Sequence, residues 1–197
     1  MWTVPREWIG DRCFILCSGE SLQAQRPQIA QLRGRIVGVK HGMLTRPDCD
    51  VFFMSGERCG ETTRELLPHF RGGRFIQRGR ADPDMPADVL RVGRHKQHDR
   101  LRLDLPQHVG GYDTGTSAIH LAALFGATEI VILGMDMTGG HFVPHPLQYP
   151  PQEHFRRHMG PLAGLAADAA AKGIRIVNCS PISKVDAFER RPLEDFL

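Results

Sequence analysis

Three short stretches of this chain place glycines, hydroxyls and a carboxylate in the pattern that a phosphate-bearing ligand requires. The first is Ser18-Gly19-Glu20-Ser21, directly after the apolar run Cys13–Cys17. Gly19 permits a tight turn and a close backbone approach, and Ser21 is a natural cap for a helix starting there. The free N–H groups at such a helix end attract phosphate. The stretch is neither GxGxxG nor GxxxxGK[ST], so it is no dinucleotide fingerprint and no P-loop. Any strand-to-helix turn also favours Gly and Ser for its own sake. The second stretch, Thr114-Gly115-Thr116-Ser117, opens an amphipathic pattern. Capping explains one hydroxyl there; three around a glycine exceed that need and point to an anion or nucleotide. The third is Gly134-Met135-Asp136, just past the apolar run 129–133. A carboxylate in that place binds a ribose hydroxyl, holds a metal, or caps the next loop.

Histidines would supply proton transfer, because imidazole titrates near neutral pH. His141, His145, His154 and His158 fall within 18 positions, and the last two are four apart on a predicted helix. That spacing puts both rings on one face, as a chelating pair requires. The segment His154-Phe-Arg-Arg-His158 lacks the glutamate of HExxH, so no metal site is assigned. Arg156 and Arg157 stand ready for a phosphate or carboxylate. His120, among Ala and Leu, reads as a core histidine. Asn178 and Ser180, at the end of the last apolar run, would read a base or sugar; a plain turn at Pro181 explains them equally well.

The elements that must position these groups alternate. Strands are predicted at 13–17, 35–39, 50–54, 73–77, 129–133 and 174–178, and helices at 21–33, 60–68, 115–125 and 154–172. The strand runs are short and rich in Ile, Val and Phe, as central strands covered on both faces are. The pattern predicts an α/β, Rossmann-like three-layer sandwich with a mostly parallel central sheet, in one domain over 1–197. Ligands bind outside the carboxyl ends of such strands, and every stretch above falls at that edge. The segment 80–110 breaks the rhythm as a basic insertion. Residues 89–92 and 101–105 would pair as a hairpin with Arg94, His95, Lys96 and His98 toward its tip. Segment 138–152 reads as a second loop.

With 41% hydrophobic and 24% charged residues the composition is that of a soluble globular protein. A net charge of +3 is too small to argue for nucleic acid. No apolar run approaches the roughly 18 residues of a membrane helix, and residues 1–8 lack a signal-peptide pattern. The five cysteines include no CxxC pair, which fits reduced thiols in a cytoplasmic protein.

Taken in order, these pieces resemble a known group. Leu16-Cys-Ser-Gly-Glu-Ser-Leu22 is similar to the Gly-x-Gly-Pro-Ser-Leu opening of the hydroxymethylpterin diphosphokinase-like (MptE-like) family and of the bacterial lipooligosaccharide sialyltransferases. Ile36–Val39 with Pro47–Val51, then Thr114-Gly115-Thr116 through Gly126 to Gly134-Met135-Asp136, and finally Ile174–Ser183, are similar to their later strands and turns. Compact bacteriophage-encoded relatives look closest. The resemblance implies a nucleotide-binding transferase, in the first place a glycosyltransferase with a CMP-sugar-like donor and no required metal. His154 or His158 would be its general base, with Asp136 at the ribose or a metal. Ser18, Gly19, Ser21, Lys40, Thr114, Gly115 and Thr116 would cradle the donor, and Asn178 and Ser180 would line the base or sugar pocket. One alternative is an ATP-dependent diphosphokinase, with magnesium on Asp136, His141 and His145. Another is a non-catalytic phage protein that sequesters a nucleotide. Lys40 departs from the pattern, because both groups usually carry asparagine there. The acceptor is open: a nucleic acid fits the basic segment 91–102 but is not favoured, and a homo-oligomer is left open.

Overall fold

The computed structural model describes residues 1–56, 60–79, 85–143 and 153–197. Nine strands form one sheet in the order β6-β5-β4-β3-β2-β1-β7-β8-β9. They are β1 (Arg12–Leu16), β2 (Arg35–Val39), β3 (Val51–Ser55), β4 (Arg74–Arg78), β5 (Leu90–Arg94), β6 (His108–Val109), β7 (Glu129–Leu133), β8 (Arg175–Asn178) and β9 (Glu189–Arg190). Every strand pairing in the sheet is parallel. The chain moves outward from β1 in one direction through β6, then restarts on its other side with β7. The switch point therefore lies between β1 and β7.

Alternation along the strands feeds two cores. Cys13 and Ile15 of β1 face one cluster, with Trp8, Phe125, Leu162 and Leu165. Phe14 and Leu16 face the other, with Leu22, Ile29, Met43 and Leu66. The first core is covered by α4 (Thr114–Phe125) and α6 (Leu162–Ala171), the second by α1 (Ser21–Ala24), α2 (Arg26–Ile29) and α3 (Gly60–Leu66). This is the three-layer Rossmann-like arrangement.

Two predicted helices break at proline. The expected helix over 21–33 divides into α1 and α2, because Pro27 lacks an N–H and its ring disfavours the helical turn before it. The expected helix over 154–172 divides into α5 (Glu153–Met159) and α6 at Gly160-Pro161. The expected hairpin is also corrected. Residues 90–94 pair parallel with β4 and β6, and 101–105 form no strand. Leu101 is instead buried under α6, its N–H donating to Asp168 at 2.6 Å.

The four described cysteines are buried and unpaired. Burial raises the Cys13 and Cys17 thiols well above their ordinary range and the Cys49 thiol to about 12, so they behave as small apolar groups. Among the described residues no helix is long and apolar enough to cross a membrane.

Candidate active site

A cleft of about 730 Å³ opens at the carboxyl edge of the sheet, within the range that houses small-molecule ligands. Its walls come from the exits of β1, β2, β3, β4, β5 and β7, from the start of α4 and from α5. Of the predicted site residues, Ser18, Gly19, Lys40, Thr114, Gly115, Asp136, His141 and His158 line it.

On the β1/β7 side the wall is tied together by short polar bonds. Ser18 Oγ donates to the Val39 carbonyl at 3.2 Å and accepts from Gly42 N–H at 3.3 Å, joining the exits of β1 and β2. Asp136 is 1% exposed, and both its oxygens are engaged by Ser21. The Ser21 N–H donates to Oδ2 at 2.8 Å and its hydroxyl donates to Oδ1 at 2.5 Å. Burial raises the Asp136 pKa; the Ser21 bonds oppose this and the Glu20 charge adds to it. The N–H of Ser21 is thus already used, and α1 is only four residues long. Ser21 accordingly braces the turn and does not line the cleft. Gly19 is held equally closely: its N–H donates to the Gly134 carbonyl at 2.8 Å, and a Cβ there would run into Asp136 Oδ2.

Asn178 and Ser180, expected to line a base or sugar pocket, stand behind this wall. Asn178 Oδ1 accepts from Ser180 N–H at 3.0 Å and its Nδ2 donates to Ser183 Oγ at 2.9 Å. Ser180 Oγ accepts from Met135 N–H at 2.9 Å, and Ser183 Oγ donates to the Met135 carbonyl at 2.6 Å. Together they fix Met135–Met137, which does line the cleft. Lys40 and Met137 both lie on the cleft with positive φ, 49° and 53°. Such backbone strain in non-glycine residues concentrates at functional sites.

Helix α4 supplies the other anchor. Asp113 caps it through Oδ1, which accepts from Thr116 N–H at 2.9 Å, and Thr116 Oγ1 accepts in return from Asp113 N–H at 3.1 Å. Thr116 is therefore engaged in the cap and is not among the cleft-lining residues. Thr114 Oγ1 is hydrogen-bonded to Ser55 Oγ at 2.8 Å. The second oxygen of Asp113 faces His158 Nδ1 at 3.3 Å, with Tyr112 edge-on to the imidazole at 4.9 Å between centroids. Burial would raise the Asp113 pKa, but His158 and the Thr116 N–H outweigh it and hold the carboxyl below its ordinary value. A single carboxylate thus caps the helix and orients a histidine.

His158 comes from α5, whose first turn carries His154; the His154 side chain and the whole of His145 lie outside the described residues. Of the magnesium set, Asp136 and His141 both line the cleft, and His145 lies outside the described residues. Asp136 serves Ser21, and no three His, Cys, Asp or Glu side chains gather as a metal site among the described residues.

Sequence reasoning missed Asp113, Tyr112, Ser55 and Arg78, all on the cleft, and placed Arg94, which also lines it, in the basic segment 91–102. Arg78 is 6% exposed and donates to the Gly110 and Gly111 carbonyls at 3.0 and 2.7 Å. Burial lowers its pKa to about 10, with the Arg94 charge adding to the fall and Asp113 opposing it. The available signal was the position of both arginines at the carboxyl ends of strands.

No protein-family model matches the sequence, and no curated protein matches it at a significant level. Solved structures do share the fold. The sialyltransferase CstII from Campylobacter jejuni, in complex with cytidine-5'-monophosphate, is similar with a TM-score of 0.62 at 12% identity, over 94% of this chain and 86% of that one. The sialyltransferase CST-II with a trisaccharide acceptor and CMP gives 0.59 at 11%, over 91% and 85%. CstII with CMP-3FNeuAc gives 0.58 at 13%, over 95% and 88%.

Proposed function

We propose that this chain is a glycosyltransferase that takes a CMP-sugar donor, with His158 as general base. The observation that carries the reading is the Asp113–His158 pair on the wall of a cleft at the sheet's carboxyl edge, beside the open end of α4. The fold neighbours, solved with CMP, a CMP-sugar analogue or an acceptor trisaccharide, support the choice of donor. Cytidine would occupy the β1/β7 switch, where Ser18 and Gly19 permit close approach. The donor phosphate would sit against the N–H groups at Thr114 and Gly115, with Lys40 across from them.

His158 Nδ1 carries its proton toward Asp113, which leaves the other ring nitrogen basic. That nitrogen takes the proton of the acceptor hydroxyl as its oxygen attacks the anomeric carbon. The bond to the phosphate oxygen breaks and its electron pair leaves with CMP. The α4 dipole and Lys40 stabilise the charge released on the leaving phosphate.

The test is CMP release from a CMP-sugar, followed by chromatography with and without EDTA. His158→Ala is expected to lower turnover by about 10²–10⁴-fold, with CMP affinity changed less than about threefold as measured calorimetrically. Undiminished turnover in His158→Ala would sink the assignment. CMP binding by the wild type without any turnover would favour sequestration over transfer.

A further inference from the structure

Most arginines of this protein with short polar contacts are neutralised. Arg12 and Arg175 pair with Glu129, Arg35 with Asp11, and Arg102 with Asp104. Arg78 differs. It is nearly fully buried on the wall of the cleft, and among the described residues no carboxylate lies within ion-pair distance of it. Its short bonds go to two backbone carbonyls, and Ser55 Oγ lies at 3.5 Å. A guanidinium has five N–H donors, so these carbonyls fix its plane without exhausting it. Arg94 reaches the same cleft from the next strand, where Arg78 pairs with Val92, two residues before it. Two cations so placed repel each other, and a buried unneutralised charge is costly unless a ligand completes it.

We propose that Arg78 and Arg94 form a receptor for an oxyanion, a carboxylate or phosphate that the substrate carries beyond its nucleotide. A planar fork already immobilised by Gly110 and Gly111 suits bidentate recognition of such a group. The site lies at β4 and β5, apart from the β1/β7 switch, so one ligand spans both halves or donor and acceptor share them. The assignment deepens the glycosyltransferase reading and rests on it only for the nature of the nucleotide.

The test uses the full chain in two measurements. In the first, the Arg78 side-chain N–H signal is followed by NMR while inorganic phosphate or acetate is added. A saturable shift that is lost in Arg94→Met is expected, whether or not any cytidine ligand binds. No saturable shift overturns the receptor. In the second, calorimetry compares CMP, CMP-3FNeuAc and a hexose phosphate on the wild type, Arg94→Met and Arg78→Lys. The exposed Arg94 side chain makes its variant safe for folding, and Arg78→Lys keeps the charge while removing the fork.

A donor-borne anion predicts that the affinity ratio of CMP-3FNeuAc over CMP falls at least tenfold in both variants. An acceptor-borne anion leaves that ratio unchanged and weakens the hexose phosphate at least tenfold. Equal losses for CMP and CMP-3FNeuAc would overturn the proposal by placing both arginines on the nucleotide phosphate. A wild type blind to cytidine ligands yet showing the phosphate shift would overturn the donor assignment alone.

Discussion

On the β1/β7 side of the cleft the wall consists of backbone, glycine, hydroxyls and the Ser21-bound Asp136; on the β4/β5 side it consists of Arg78, Arg94 and Tyr112, with His98, His95 and His120 packed beyond them. The first side achieves its shape by close approach of chain to chain. The second achieves its charge by burying cations and keeping histidines neutral. A ligand fitted to both would meet steric selection at one end and electrostatic selection at the other.

The comparison breaks most sharply at glycine. In Gly19→Ala the new Cβ runs into Asp136 Oδ2 and the Gly134 carbonyl, neither of which is the free end of a flexible side chain. The expected loss is about 3 kcal/mol by urea unfolding, with loss of nucleotide binding. Gly56, on the opposite wall, has φ +129° and no atom within 4 Å of an added Cβ. Gly56→Ala is therefore expected to cost about 1 kcal/mol, from backbone strain alone. Equal costs at the two positions would refute the contrast.

The second contrast is in pH. His120 is 1% exposed, accepts from Gly110 N–H at 2.8 Å, and has its pKa lowered by burial and by His95 to about 3. Its folded pKa lies below the unfolded value of about 6.5. The unfolded chain therefore binds the proton first, and the stability contributed is full above 6.5 and lost as pH falls toward 3. The slope is about 1.4 kcal/mol per pH unit in that window. His95 and His98 are lowered too, by burial first and then by neighbouring cations, and act in the same direction. Asp136 acts oppositely. Its folded pKa is raised, so the folded state takes up the proton first, and acidification through that value relieves a penalty. Urea titrations between pH 7 and 4 should show falling stability in the wild type, a flatter profile in His120→Gln and a steeper one in Asp136→Asn. An unchanged slope in His120→Gln would remove the neutral buried histidine from the account.

The β1/β7 side was largely legible because its elements are local. An apolar run followed by a glycine and a hydroxyl marks a strand exit from a few residues alone, and β1, β2 and β7 fall within one residue of their predicted bounds. The roles of Ser21 and Asp136 were not legible, since the two residues that satisfy each other are 115 positions apart. The β4/β5 side was legible only in composition. Alternating Leu, Val and Arg suggested a hairpin, whereas the partners of β5 are chosen by a parallel crossover that period-two patterning does not encode. The role of Asp113 was not legible either, because its second oxygen finds its use on His158, 45 residues on. Asn178 and Ser180 sit at the right edge of the sheet, but a position at that edge does not tell the wall from the layer behind it.

The smallest effect tests a single backbone angle. Lys40 holds φ at 49°, in the left-handed region where a lysine Cβ crowds the carbonyl and asparagine is tolerated far better. Conformation alone would favour asparagine there. Lys40→Asn should thus stabilise the fold by about 0.5–1 kcal/mol while removing a cation from the β2 exit. If Lys40 faces the donor phosphate, the same variant binds CMP more weakly even as it unfolds at higher urea, and its affinity for uncharged cytidine stays constant. Greater stability with unchanged CMP affinity would show that the residue shapes the turn only, and the charge on the nucleotide side would then come from α4 alone.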